Sequence, residues 1–472
     1  MKKITAVLLA AYLCTLWSPT CLAQGRDGSK PTGQTTAELK AAGQMPKAAG
    51  GFIQLDDAEM KFTKWPELLG ELSGKAGMDT FIIQRLFFRY KEDDKEKART
   101  HIILKSGSIN LSDPQYSPSM VLADNDPTNA ILNVADKTYT NASTTDDMKI
   151  YVGLWMDEMP FNMVVDSKPE QLDAYLKDVS DKIIKTANLA WNLYHKHPSF
   201  RGWYISHEFW NFPYADRSAA SRLKQELFKT FLKKVVAGCK ELNKKPEEGG
   251  KLPDRPVAVS VYFNPWLYLD WAGPPQTQAL YTSILTGSDL DVLMVQDSIG
   301  TRCLYKEKLD NEALEDKRDK EIRPLVPKFL RAFADAARAA SSGGHRIALW
   351  DDVEAFEVVP GTGGCRGEQP YNQNAPLRPT SIDRLKWQFD VAVGTLGEGE
   401  QAQLFEKFVF FDLFHYLNTV VPEGFGTAAQ NTQALRTQLF NQYLQSFVNQ
   451  PNKPQPAVNH LINPDTRRWR RH

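Results

Sequence analysis

Cysteine is scarce in this chain, and neither sign of charge prevails. Only 5 of 472 residues are cysteine, and 57 Lys and Arg face 57 Asp and Glu. A chain without net charge has no overall field to steer it toward nucleic acid or an anionic membrane. Long apolar runs are missing beyond Leu16, so no later segment reads as a transmembrane helix. No His-Glu-x-x-His motif occurs, and the cysteines have no His cluster beside them, so a zinc signature is lacking. No self-similarity appears at solenoid periods.

What is present begins with an export signal. Lys2 and Lys3 precede the apolar run Ile4 to Leu16, and Cys21-Leu22-Ala23 offers a small residue at the cut. Cleavage after Ala23 gives a periplasmic or secreted protein and removes Cys14 and Cys21. Residues 24–50 are polar and rich in Gly, Lys, Gln and Thr, and read as a flexible leader. The ordered domain is expected over 51–450, followed by a solvated tail over 451–472. The hydrophobic fraction of 42% fits a globular fold, and 11 Trp and 16 Tyr supply rings for sugar stacking as well as for the core.

Eight short apolar segments alternate with helical stretches. The strands read GFIQL from Gly51, TFIIQRLFF from Thr80, Ile150 to Trp155, Gly202 to Ser206, Val257 to Phe263, Val292 to Gln296, His345 to Trp350 and Phe408 to Phe414. A small hairpin is expected around HIILKSG, residues 101–107. Helices are expected at Trp65 to Leu72, Pro127 to Lys137, Pro169 to Tyr194, Ser218 to Leu242, Thr277 to Leu285, Ile322 to Ala340, Ser381 to Val393 and Thr432 to Val448. Continuously apolar strands belong to a parallel sheet covered by helices on its outer face. The order predicts an α/β fold of the (β/α)8 TIM-barrel kind, with long loops at its C-terminal rim.

Barrel enzymes build their sites at and just beyond the C-terminal ends of the strands. Here those positions are polar and aromatic. They are Gln54; Gln84 and Arg85; Trp155 and Asp157; His207, Glu208, Trp210 and Asn211; Tyr262 and Asn264; Gln296 and Asp297; Trp350, Asp352, Glu354 and Glu357; and Tyr416. Such a mixture suits a sugar, which has apolar faces and many hydroxyls. A carboxylic acid can protonate the leaving oxygen of a glycoside while a second carboxylate attacks the anomeric carbon or activates water. Glu208 after strand four is the expected general acid and base, and Glu354 after strand seven the expected nucleophile. A retaining pair stands about 5 to 5.5 Å apart. Asp351, Asp352 and Glu357 are rivals for the second role, and Asp297 could orient a partner or be the second acid itself. The other rim residues are expected to bind substrate. Cys303 and Cys365 lie in loops after strands six and seven, neighbours at a rim, where a disulfide is expected in an oxidising compartment. His195 and His197 lie before strand four, on the face that serves stability, and receive no chemistry.

The runs GFIQL, GMDTFIIQ, YVGLW, HPSFRGWYISHEFW, LMVQDSIG and LWDDVEAF resemble a bacterial family catalogued as DUF4434, over about residues 50–420. The resemblance implies a barrel fold and glycoside hydrolysis. More broadly, the layout is similar to the large clan of retaining glycosidases with a strand-four acid and a strand-seven nucleophile, which implies those roles for Glu208 and Glu354. One departure stands out: His207 occupies the position where that clan usually has Asn before the strand-four Glu.

The expectation is a monomeric, exported hydrolase of an oligo- or polysaccharide that needs no metal or cofactor. Rival readings are a carbohydrate-binding barrel without turnover, a metal-dependent hydrolase drawing ligands from Asp351, Asp352, Asp297 and His207, and a role in surface polysaccharide export.

Overall fold

The computed structural model of the protein describes residues 46–55, 62–92, 95–100, 126–140, 147–157, 168–210, 219–244, 255–267, 273–297, 299–306, 309, 312–341, 345–359, 362, 365, 375–393, 405–421 and 432–450. Eight parallel strands close into one barrel. They are β1 (Gly50–Ile53), β2 (Thr80–Ile83), β3 (Lys149–Gly153), β4 (Phe200–Trp210), β5 (Val257–Tyr262), β6 (Val292–Gln296), β7 (Ala348–Glu354) and β8 (Lys407–Phe411). Each pairs with the next in chain order, and β8 returns to β1 with Gly50 opposite Val409.

The helices of the outer layer follow from the same periodicity. After β1 comes α1 (Trp65–Ala76), after β2 α2 (Pro127–Asp136), after β3 α3 (Pro169–Tyr194), after β4 α4 (Ala219–Asn243) and after β5 α5 (Pro274–Leu285). Three helices follow β6: α6 (Ile299–Arg302), α7 (Glu312–Lys317) and α8 (Val326–Ala340). Then α9 (Ile382–Ala392) follows β7, and α10 (Leu413–Tyr416) and α11 (Gln433–Tyr443) follow β8. Local chemistry sets several starts. Asp126 accepts the Asn129 amide at 2.8 Å ahead of Pro127, and Ser381 accepts the Arg384 amide at 3.3 Å.

The strands are mostly apolar because both faces are covered. Phe52, Ile82, Tyr151, Tyr204, Ala258, Met294, Trp350 and Val409 fill the barrel interior. The alternate residues, among them Ile83, Val152, Ile205, Val259, Val295, Val353 and Phe410, pack under the helices. Gly202 leaves room for the Tyr151 ring, because a Cβ there would lie 2.2 Å from it.

Three departures from the expected elements have physical causes. The second apolar run does not stay in the barrel. β2 stops at Ile83, and Phe87–Glu92 forms a side sheet, antiparallel to Lys95–Thr100 and parallel to Trp155–Asp157. The hairpin expected around HIILKSG lies outside the described residues. The seventh strand runs over Ala348–Glu354, so the expected start at His345 is too early and the acids lie within the strand. Finally, β4 extends to Trp210 with an irregularity that re-aims its last residues.

Candidate active site

Glu208 owes its direction to that irregularity. From Ile205 to Phe209 β4 advances four residues while its partner advances only from Val259 to Val261. Two residues are in excess, and a bulge of this kind rotates side chains out of strict alternation. Tyr204 faces the barrel interior, and Phe209 faces outward against Phe228 and Phe231 of α4. His207 also turns outward. Its ring lies 6.3 Å from that of Phe231, and its Nε2 accepts the Asp157 amide at 3.2 Å. Glu208 is half-buried, and its Oε1 accepts from Gln296 Nε2 at 2.9 Å. Gln296 ends β6 in register with Tyr262 and Asp352, so three neighbouring strands meet at this level.

Asp352 is the inward-facing acid of β7, fully buried, with Ser260 Oγ donating to its Oδ2 at 3.4 Å. Burial pushes its carboxyl well above the usual range, and the charges of Glu208, Asp297 and Glu354 push it further. Burial, then the Glu208 charge, also raises the Tyr204 phenol well above its ordinary value. Burial and the neighbouring carboxyls therefore favour the protonated form of Asp352.

Glu354 is held from the β6 side. The Thr301 amide donates to its Oε2 at 2.9 Å, and Thr301 Oγ1 lies 3.4 Å from its Oε1. Gly300 permits this approach, since a Cβ there would lie 2.6 Å from Glu354 Oε2 and 2.3 Å from the Phe356 carbonyl oxygen. Glu354 is 4% exposed. Behind it, Asp297 accepts from Gln388 Nε2 at 2.6 Å and from the Ile299 amide at 3.1 Å. Burial and then the Glu354 charge raise Asp297 to about 7. Asp351 lies beside it, fully buried, with no hydrogen-bond partner for either oxygen among the described residues. Burial first, then Asp297 and Asp352, raise it well above the usual range.

The other expected site residues divide by environment. Arg85 is buried, its guanidinium 4.0 Å over the Phe88 ring and its charge felt by the Tyr204 phenol. Gln84 is buried beside it, and Gln54 is partly exposed. Tyr262 lies 5.2 Å beneath the Arg302 guanidinium, and Asn264 accepts the Trp266 amide at 3.1 Å. Trp155 and Asp157 are joined by an indole hydrogen bond of 3.0 Å within the side sheet. Trp350 is a core residue, 5.4 Å from Tyr151 and beneath Lys407. Tyr416 packs against Phe356. Glu357 is committed to Arg378, Arg384 and Thr380. The Trp210 side chain and Asn211 lie outside the described residues. Cys303 and Cys365 are bonded, with Cα atoms 5.5 Å apart. Among the described residues, no group of three or more His, Cys, Asp or Glu is arranged to hold a metal ion. Sequence reasoning missed Ser260, Gly300, Thr301, Arg384 and Gln388. The run Asp297-Ser298-Ile299-Gly300 after β6 was the one local signal for the turn over Glu354.

Fold and site define a closed (β/α)8 barrel whose C-terminal mouth concentrates mutually interacting carboxyl groups. The chain belongs to the family described as "Domain of unknown function (DUF4434)", whose model matches residues 48–421. Among solved structures it is similar to one titled "Glycoside hydrolase", at 11% identity and a TM-score of 0.38, covering 85% of this chain and 69% of that one. It is also similar to a β-galactosidase from the psychrophilic Marinomonas ef1, at 11% identity and a TM-score of 0.41, covering 84% of this chain and 58% of that one. A comparison with curated proteins returns no match. No described helix is long and apolar enough to cross a membrane.

Proposed function

We propose that the protein is a glycoside hydrolase of an oligo- or polysaccharide, acting through Glu208 as general acid and base and Glu354 as nucleophile. One observation carries the reading. Gln296 donates to Glu208 at 2.9 Å and pairs in register with Asp352, two residues before Glu354 on β7, which supports carboxyls of β4 and β7 acting at one end of the barrel. In this mechanism Glu208 protonates the departing glycosidic oxygen while Glu354 Oε attacks the anomeric carbon. Glu208 then takes a proton from the water that releases the sugar. Gln296 orients the Glu208 carboxyl, and the Thr301 amide orients that of Glu354. Burial and neighbouring carboxyls favour the protonated form of Asp352, which limits the negative charge beside them. The amino-terminal residues 1–23, read as an export signal, assign the reaction to a periplasm or the exterior.

The test is hydrolysis of a glycan panel by the wild type and by Glu208→Gln and Glu354→Gln, with folding checked by circular dichroism. Both variants should lose at least about a thousandfold in kcat. Full activity of Glu208→Gln on a sugar with a poor leaving group rules the acid assignment out. With an activated glycoside, added azide should yield a glycosyl azide of inverted configuration from Glu354→Ala and of retained configuration from Glu208→Ala.

A second reading, a sugar-binding barrel without turnover, is favoured by the 4% exposure of Glu354 and its fixation under Thr301. Glycan binding by calorimetry with no cleavage, unchanged in Glu354→Gln, selects it.

A further inference from the structure

We infer that the Cys303–Cys365 disulfide is a positioning element for the Glu354 carboxylate, acting through the short turn α6. This inference rests on reading Glu354 as a reacting group. The α6 turn spans only Ile299–Arg302, and four residues cannot hold a helical conformation on their own. Yet this turn supplies both the Thr301 amide and the close backbone of Gly300 to Glu354, 53 residues away. Its shape must come from what it is tied to.

At its start Asp297 Oδ1 accepts the Ile299 amide at 3.1 Å. At its end the chain enters Cys303 with φ of 51°, a left-handed conformation that a residue with a Cβ adopts only when its surroundings impose it. The disulfide is formed at this same residue. It joins the end of α6 to Cys365 and packs with Leu309 and Val358 as a separate small apolar cluster, with Trp266 and Leu377 against it. Trp266 Nε1 also donates to the Arg302 carbonyl at 2.8 Å. Val358 and Leu377 pair across an antiparallel ribbon, whose first segment, Phe356–Val358, begins directly after β7 and whose second is Leu377–Pro379. The bridge thus fastens the turn above Glu354 to the segment that continues from Glu354. Besides the bridge, Asp297, Trp266, the Tyr262 ring against Arg302 and the buried side chain of Ile299 also hold α6, and the bridge is the covalent tie among them.

The experiment compares the oxidised protein with protein reduced by a phosphine, in which two thiols form and the phosphine becomes its oxide. The double variant Cys303→Ser, Cys365→Ser is measured alongside. Hydrogen exchange follows the amides of 299–303, and carbodiimide labelling read by mass spectrometry follows each carboxyl. Opening the bridge should speed exchange at 299–303 at least tenfold and raise Glu354 labelling several-fold, while amides of β6 and Asp352 labelling stay as they were. Gly300→Ala, which keeps the bridge but displaces α6, should raise Glu354 labelling in the same way and serves as the reference if the double variant does not fold. Unchanged exchange at 299–303 and unchanged Glu354 labelling in the reduced protein overturn the proposal. Labelling that shifts while no glycan is cleaved supports the positioning and removes the hydrolase reading. Glycan cleavage dependent on Glu354 but indifferent to the bridge, in kcat as well as labelling, removes the positioning and leaves the hydrolase reading intact.

Discussion

Two polar regions of this barrel solve opposite problems. One lies where the chain enters β4. There Asp136 accepts from the Ser199 amide at 3.0 Å and from Ser199 Oγ at 2.5 Å, and its other oxygen meets His197 Nδ1 at 2.6 Å. Asp126 takes the Tyr194 hydroxyl at 2.9 Å and the Asn129 amide. The other region lies where the chain leaves β6 and β7. There Asp297, Asp351, Asp352 and Glu354 crowd together, and Asp351 has no described hydrogen-bond partner at all. The first region fastens α2 to the start of β4. The second keeps carboxyl groups under mutual repulsion, an arrangement that stability does not favour and that catalytic sites use to set protonation. Asp126 and Asp136 are half-buried and donor-paired, whereas Asp351 and Asp352 are fully buried with oxygens that meet no described donor.

The comparison can be tested by breaking one region at a time. The largest effect should fall on activity: Glu208→Gln and Glu354→Gln remove turnover with little change in unfolding free energy, whereas substitutions at Asp136 leave kcat intact. Opening the Cys303–Cys365 link, which closes a loop of 62 residues in sequence, should lower stability by roughly 4 kcal/mol in denaturant unfolding. Asp136→Ala strands His197 and Ser199 and should destabilise by roughly 2 kcal/mol, checked in the same assay. Asp351→Val should do the reverse. It replaces an unpartnered buried acid under the helices with an apolar side chain and should stabilise by about 1 to 3 kcal/mol. An Asp351→Val protein less stable than wild type would falsify the claim that this carboxyl is kept at a cost.

The remaining effects are in pH dependence, and the two regions should differ in sign. Burial raises Asp136, but hydrogen bonds from His197 and Ser199 outweigh it, so its folded value lies below 3.8. Its contribution is present above 3.8 and is lost as pH falls through the folded value. Asp297 is raised from 3.8 to about 7, so the folded state binds a proton that the unfolded state releases across that interval. Its contribution is complete below 3.8 and is lost as pH rises toward 7. Unfolding free energy against pH should lose its acid-side slope in Asp136→Asn and its slope between about 4 and 7 in Asp297→Asn.

Much of the architecture is legible in the amino-acid sequence. Strands such as Val257–Tyr262 and Val292–Gln296 must be apolar on both faces because side chains fill the barrel on one side and helices cover the other. Glu208 and Glu354 are readable as rim acids because they close such runs. Less legible is the company each keeps. Trp350 ends an expected strand, yet β7 begins late enough to draw its ring into the barrel core against Tyr151. His207 precedes Glu208 in sequence but faces α4, because two extra residues in β4 break the alternation.

What the sequence determined by itself is the alternation of covered strands and helices, since hydrophobic periodicity is a local property that the chain carries in every conformation. What only tertiary structure decided is which carboxyls meet donors and which meet one another. Thr301 reaches Glu354 across 53 residues, and Cys303 reaches Cys365 across 62. Those contacts depend on β6 and β7 lying side by side, as the setting of His207 and Glu208 depends on a two-residue excess in β4, and no local pattern encodes either.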